Sequence, residues 1–176
     1  MNSKENLRNL IMESTANVYY TYSAHWHIVS RLKCHQFLIK FTQIVLTAVT
    51  TVGLIKTLST EIYWLTWLNI FCSAVSLSLN LYVLNFNLPD DIKAHTDAAN
   101  ELWKVRELYR ALLVDFDDMS PEDIRERRNQ LTESVSLINK MYPGTDNKSF
   151  KQAQSDMSKY TYSKGEVAKS LHIDNR

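Results

Sequence analysis

The 176-residue chain is poor in the residues that build nucleotide-binding loops and nucleophile elbows. It contains only three glycines, and it has no Walker loop, no other glycine-rich phosphate cradle and no G-x-S-x-G motif. A paired-carboxylate site would need no such motif, but no pair of acids is singled out by its spacing. We therefore expect a protein that is not an enzyme, with no catalytic residue and no cofactor.

An excess of charge of one sign is also missing, because 20 lysines and arginines are balanced by 19 aspartates and glutamates. Proteins that bind nucleic acid usually present a basic face. The net charge of +1 therefore gives no reason to expect direct nucleic-acid binding.

The sequence lacks a set of metal ligands at the usual spacing. His25 and His27 are two residues apart, so on a helix they would point to different faces. The two cysteines are far apart, with Cys34 before the apolar middle of the chain and Cys72 inside it. We expect neither a metal site nor a disulfide.

Long apolar stretches are what the chain does have. The 27 residues from Ile62 to Leu88 contain no Asp, Glu, Lys, Arg or His, and about 20 helical residues cross a bilayer core. A second stretch, residues 37–58, has Lys40 and Lys56 near its ends, whose aliphatic stems can lie in the apolar layer. These stretches predict transmembrane helices at 37–58 and 62–88, and the buried core of a soluble protein is the alternative.

The short connector from Lys56 to Glu61 forces the two spans to run antiparallel, as a hairpin. Basic residues are more frequent before the first span and after the second than in the connector, and such residues favour the cytoplasmic side. Both termini are therefore predicted to be cytoplasmic. The predicted membrane-interface anchors are Lys40, Lys56, Tyr63, Trp64 and Trp67.

Helical periodicity continues on both sides of the spans. Residues 1–36 predict an amphipathic cytoplasmic helix, free to continue into the first span because residues 4–36 contain no Pro or Gly. Residues 89–162 predict a cytoplasmic helical region. Its first helix has an apolar face with steps of three or four residues, formed by Leu102, Val105, Tyr109, Leu112 and Phe116, and Ser120-Pro121 starts the next helix. Residues 163–176 are expected to form a flexible tail. The predicted fold class is all-α, a two-helix transmembrane hairpin with N-terminal and C-terminal cytoplasmic helices.

A row of polar residues interrupts the apolar spans at helical spacing. In the second span the row contains Thr66, Asn69, Ser73, Ser76, Asn80 and Asn87, and in the first it contains Gln43, Thr47 and Thr50. Polar side chains are costly in hydrocarbon unless they find partners or water. The row either packs the helices together or lines an aqueous path between several subunits.

The order of these parts resembles the SLATT group, the two-transmembrane effector domains associated with bacterial conflict systems. The resemblance covers nearly the full length and rests on short motifs, at Tyr19–His27, Glu101–Trp103, Tyr109–Leu113, Asn139–Pro143 and Phe150–Ala153, together with the helix that starts at Ser120.

The resemblance implies an oligomeric pore-forming effector of antiphage, abortive-infection defence that permeabilises the bacterial inner membrane when triggered. It also implies a separately encoded sensor or signal synthase as partner, such as a cyclic-oligonucleotide synthase, a SLOG protein or a reverse transcriptase. Membrane lipid and further copies of the chain are the other expected partners. The alternative is a membrane-anchored scaffold that recruits a cytoplasmic partner and forms no pore.

Overall fold

The computed structural model describes residues 3–59 and 63–159 of the chain. Within these ranges it contains five α-helices and one 3-10 turn, Asp115–Asp117, and no strand. The helices are α1 (Ser3–Ser59), α2 (Tyr63–Asn85), α3 (Leu88–Val114), α4 (Pro121–Met141) and α5 (Asn147–Lys159). The predicted all-α class is confirmed. The predicted flexible tail at 163–176 lies outside the described residues, as do residues 60–62 between α1 and α2.

The first helix continues without a break from its amphipathic half into its apolar half. No Pro or Gly occurs before Gly53 to interrupt the backbone hydrogen bonds. The chain forms two compact units, and α1 contributes to both of them. One unit contains the residues up to Val29 and those from Lys93 onward, and the other contains Ser30–Ile92.

The first unit is built around a core of large apolar side chains from α1, α3 and α4. Tyr109 and Phe116 of this core are each only 1% exposed. Every residue of the apolar face predicted for this region is buried, namely Leu102, Val105, Tyr109 and Leu112 of α3 and Phe116 of the 3-10 turn that follows it. Each such side chain contributes about 1.5–3 kcal/mol through burial alone. These residues therefore fix how α1, α3 and α4 pack.

Local signals set the helix ends in the first unit. The Ser120 hydroxyl accepts a hydrogen bond from the Asp123 backbone N–H at 3.2 Å, and Pro121 occupies the first turn of α4, as the sequence predicts. The helix α5 starts in the same way, because the Asp146 carboxylate accepts from the Ser149 N–H at 2.7 Å. These caps satisfy backbone donors that have no partner within the helix.

The second unit pairs the apolar half of α1 with α2. Gln43 contacts Asn80, and Gly53 lies against Asn69, so the two helices run antiparallel within this unit. Both helices are long and apolar enough to cross a membrane, yet only 6% and 11% of their most apolar stretches are buried. The core helix of a soluble protein would be mostly buried. The large exposed apolar surface of the two helices is better explained if lipid, and not water, surrounds it.

Candidate functional site

The two apolar helices meet along a seam in which both contribute residues at alternating spacings of four and three. On α1 the seam contains Ile39, Gln43, Leu46, Thr50 and Gly53, and on α2 it contains Leu65, Asn69, Cys72, Ser76 and Leu79. All of these are buried or half-buried, whereas their neighbours on the outward faces are mostly exposed. A spacing that averages 3.5 residues keeps one face of each helix towards its partner, as in a coiled coil.

Gly53 and Asn69 make the closest approach in this seam. A Cβ atom on residue 53 would lie 2.6 Å from Nδ2 and 2.7 Å from Cγ of Asn69, and closer still to Oδ1. Because glycine has no side chain, the Asn69 amide fits directly against the backbone of α1, where it is buried. The glycine therefore determines how near α2 comes to α1 at this point.

Gln43 and Asn80 cross the seam near its other end. The Gln43 side-chain amide donates to the Asn80 side-chain oxygen at 2.9 Å. Interhelical hydrogen bonds of this kind contribute about 0.6–2 kcal/mol in membranes. The pair fixes the register of the two helices.

The threonines of α1 satisfy their hydroxyl groups within the helix. The hydroxyls of Thr47, Thr50 and Thr51 donate to backbone carbonyl oxygens one turn earlier, at 2.8–2.9 Å. Such bonds let a hydroxyl tolerate apolar surroundings. These threonines can therefore face lipid, a second subunit or water with little change in free energy.

The structure divides the predicted polar row into two sets and one outlying residue. Gln43, Thr50, Asn69 and Ser76 lie in the seam, while Thr47, Thr66, Ser73 and Asn80 are exposed. Asn87 lies past the end of α2, and its side chain donates to the Asp90 carboxylate beside the first turn of α3. Part of the row therefore packs the helix pair, and part of it faces outward.

The exposed set lies on one side of the helix pair. Each residue advances about 100° around an α-helix, so Thr47 lies about 80° from the centre of the seam on α1. Ser73 and Thr66 lie about 80–100° from it on α2, in the same rotational sense along each helix. When two right-handed helices face each other antiparallel, residues that are offset from the seam by the same angle in the same sense lie on the same side of the pair. These residues therefore share a surface. We call Thr47, Thr66, Ser73 and Asn80 the polar flank.

A shallow groove follows the α1 part of this surface. It is lined by Lys40, Gln43, Ile44, Thr47 and Ala48. Lys40 is predicted from the sequence only as an interface anchor, although its spacing of three and seven residues from Gln43 and Thr47 places all three on one face of α1. The role of Gly53 is missed because it depends on which residue of α2 lies opposite.

The remaining predicted anchors are on the surface of the second unit. Tyr63, Trp64 and Trp67 are all exposed in the first turns of α2, and Lys56 is exposed near the end of α1. Their depth in a bilayer stays a prediction.

A histidine pair joins α1 to α3 in the first unit. The Nδ1 atoms of His25 and His95 are 2.8 Å apart, and both side chains are buried. Burial, and then the neighbouring His95, lower the pKa of His25 to about 4. His25 is therefore neutral at pH 7, and in the contact between the two rings one Nδ1 donates and the other accepts.

His27 faces a different helix from His25. Its Nε2 lies 2.7 Å from the Asp156 carboxylate of α5, and Tyr20 contacts Phe150 of the same helix. The two histidines thus join α1 to two separate helices, as their spacing predicts. Within residues 3–59 and 63–159, no group of three or more His, Cys, Asp or Glu side chains is arranged to hold a metal ion.

An aromatic cluster completes the contact between α1 and α3. The Arg106 guanidinium lies 5.1 Å from the Tyr19 ring and 4.7 Å from the Trp103 ring, and Tyr22 also packs on Trp103. Such cation–π contacts contribute about 0.5–2 kcal/mol each. They stabilise the first unit.

Comparison with known proteins gives one family match. The sequence model of the SMODS and SLOG-associating 2TM effector domain family 4 matches residues 7–164, which includes both units and nearly the whole chain. No curated protein and no solved structure matches the chain significantly.

Proposed function

The chain belongs to family 4 of the SMODS and SLOG-associating two-transmembrane effector domains, and we propose that it forms a homo-oligomeric pore that permeabilises the bacterial inner membrane when triggered. Family membership makes it a membrane effector of antiphage defence, associated with SMODS and SLOG partner proteins. The pore, the oligomer and the trigger are the proposal.

The polar flank is the observation that supports a pore. Thr47, Thr66, Ser73 and Asn80 share one side of a helix pair whose other exposed residues are largely apolar, such as Phe71. The Thr47 hydroxyl already donates within α1, but the Asn80 amide has donors and acceptors beyond its one bond to Gln43. Each polar group left facing hydrocarbon without a partner costs about 1–3 kcal/mol or more. Several copies that turn their polar flanks towards a common axis would remove this cost and enclose a water-filled path.

One helix pair cannot enclose a path, so the proposal requires several subunits. The seam supplies rigid building blocks for such an assembly, because Gly53–Asn69 and Gln43–Asn80 hold α1 and α2 in one register. In the closed arrangement the flanks would pack against one another. In the open arrangement they would separate and admit water.

The first unit is proposed to be cytoplasmic and to control this change. Arg31, Lys33 and Lys93 lie near the ends of the helix pair that lead into the first unit, and basic residues favour the cytoplasmic side. A trigger that binds the open arrangement more tightly would shift the population towards it. The trigger would come from a separately encoded sensor or signal synthase, such as a cyclic-oligonucleotide synthase, a SLOG protein or a reverse transcriptase.

A membrane-anchored scaffold is the second candidate function. It is favoured by the position of Gln43, Thr50, Asn69 and Ser76 in the seam, where packing alone accounts for four of the nine residues of the polar row. In this case the hairpin would hold the first unit at the membrane, and the first unit would recruit a cytoplasmic partner without a pore.

Replacement of Ser73 with leucine separates the two functions. Ser73→Leu places a large apolar side chain in the polar flank without entering the seam. Ser78→Leu is the matched control, since Ser78 lies on the same helix about 140° from the seam centre on the opposite side and is also exposed.

The measurement is membrane depolarisation after overproduction in bacteria, together with release of a trapped dye from liposomes. Both use a high protein density, at which the minor open population that exists without a trigger is enough to give leakage. We expect leakage from the parent protein and from Ser78→Leu, and a reduction of roughly tenfold for Ser73→Leu. Equal leakage from both variants, once both are shown to insert into the membrane, would mean that the polar flank does not line the path. An absence of any leakage from the parent protein would favour the scaffold.

A further inference from the structure

We infer that Lys40 determines the charge preference of the path and makes it favour anions. This inference rests on the proposed pore. The residues of the polar flank are uncharged, so they predict little discrimination between cations and anions. A charged residue on the same surface changes that expectation.

Lys40 shares the groove of the polar flank. It lines that groove together with Gln43 and Thr47, which follow it by three and seven residues. Seven residues rotate an α-helix by about 700°, so Lys40 and Thr47 lie within about 20° of each other around α1. Subunits that turn Thr47 towards a central path therefore turn Lys40 towards it too.

The ammonium group of Lys40 is not neutralised within the helix pair. Among residues 3–59 and 63–159 no acid forms an ion pair with it. The only acids in the described part of the second unit are Asp90 and Asp91, which lie past the end of α2. Asp90 is already bonded to Asn87.

The other lysine of the helix pair faces elsewhere. Lys56 follows Lys40 by 16 residues, which places it about 160° away around α1. It is therefore not on the polar flank. Because the two lysines have the same side chain on the same helix, substitutions of Lys56 are a matched control for substitutions of Lys40.

An oligomer would place one Lys40 from each subunit around the same end of the path. Rings of lysine or arginine attract anions and repel cations where a pore narrows. The effect on permeability falls with salt, because the Debye length shortens from about 10 Å at 0.1 M to about 3 Å at 1 M. We expect a chloride permeability roughly three- to tenfold above that of potassium at low salt, and a smaller ratio at 1 M.

The test is the reversal potential of the reconstituted full-length protein in planar bilayers with a KCl gradient. The parent protein and Lys40→Arg should prefer chloride. Lys40→Gln should lose the preference and Lys40→Glu should reverse it, whereas Lys56→Gln and Lys56→Glu should leave it unchanged.

Each part of the proposal can fail separately. A conducting parent protein that shows no anion preference at low salt overturns the role of Lys40, whatever the variants do. Conducting Lys40→Gln and Lys40→Glu variants with the parent's reversal potential overturn it as well. Both results leave the pore intact, whereas a parent protein that never conducts removes the pore itself.

Discussion

Gly53 of α1 and Asn69 of α2 lie so close together that residue 53 has no room for a methyl group. Glycine is unfavourable in a helix by about 1 kcal/mol relative to alanine, so the presence of a glycine at position 53 of α1 calls for a structural explanation. The reason is the buried Asn69 amide, which occupies the space where a Cβ atom would be. Small residues at helix contacts in membranes allow such close approach.

Gly53→Ala is therefore expected to destabilise the antiparallel pair, although alanine is the better helix former. The Asn69 side chain must move or the helices must separate, at a cost of about 1–3 kcal/mol. Asn69→Ala should remove most of this cost, because it empties the space that the new methyl group enters. The measurement is unfolding in detergent of both single variants and the double variant.

Gly144→Ala is the matched control for this substitution. Nothing lies within 4 Å of a Cβ atom placed on Gly144. The same change there is expected to alter the free energy of unfolding by less than about 0.5 kcal/mol. If Gly53→Ala were as mild as Gly144→Ala, the Asn69 side chain would move away from the new methyl group at little cost, and Gly53 would not determine how near α2 comes to α1.

The hydrogen bond between Gln43 and Asn80 predicts a coupling between these residues. Each single change, Gln43→Met or Asn80→Leu, leaves one amide without its partner, and the double variant removes both. We expect each single change to cost about 0.6–2 kcal/mol and the double variant to cost less than their sum. A double-mutant cycle measured in detergent gives the coupling, and strict additivity would argue against the bond.

The first unit shows what sequence patterns predict well. The spacing of Leu102, Val105, Tyr109, Leu112 and Phe116 identified the buried face of α3 and of the 3-10 turn after it, and Ser120-Pro121 identified the start of α4. Both signals are local, because one helix face or one helix end carries all the required residues. The continuation of α1 into its apolar half also followed from the lack of Pro and Gly before Gly53.

The polar row shows where sequence patterns fail. Asn69, Ser73, Ser76 and Asn80 lie within about 60° of one another on a single helix, so α2 alone presents them as one set. The partner helix divides them, since α1 covers Asn69 and partly covers Ser76, and Ser73 stays exposed. That division depends on the antiparallel register, which no pattern within α2 contains.

The buried pair His25–His95 predicts that acid destabilises the first unit. The pKa of His25 falls from 6.5 to about 4 on folding, so between these pH values the unfolded chain binds the extra proton. The stability linked to this ring is thus fully present above pH 6.5 and is lost as the pH falls towards 4. The slope is at most about 1.4 kcal/mol per pH unit for one proton.

Replacing both rings tests this linkage. The double variant His25→Phe with His95→Leu should unfold with a flatter pH dependence between pH 6.5 and 4.5 than the parent protein. His35→Gln is the control, because His35 is an exposed histidine of the same helix. Thermal unfolding in detergent at several pH values gives the slopes, and parallel curves for the parent and the double variant would contradict the linkage.

The contact between His27 and Asp156 predicts how α5 is held on α1. Asp156→Ala removes the side chain that His27 contacts at 2.7 Å, and leaves the small buried residues Ser149 and Ala153 as the main packing of α5. We expect amide hydrogen exchange in α5 to accelerate roughly tenfold, while α3 keeps the exchange rates of the parent. Lys151→Ala, an exposed change on the same helix, should leave both unchanged. Unaltered exchange in α5 would mean that Ser149, Ala153 and Phe150 hold the helix without the contact between His27 and Asp156. Since α1 belongs to both compact units, the same variant also tests whether this contact restrains the proposed pore: membrane leakage of Asp156→Ala above the parent level would show that it does, and leakage at the parent level would show that it does not.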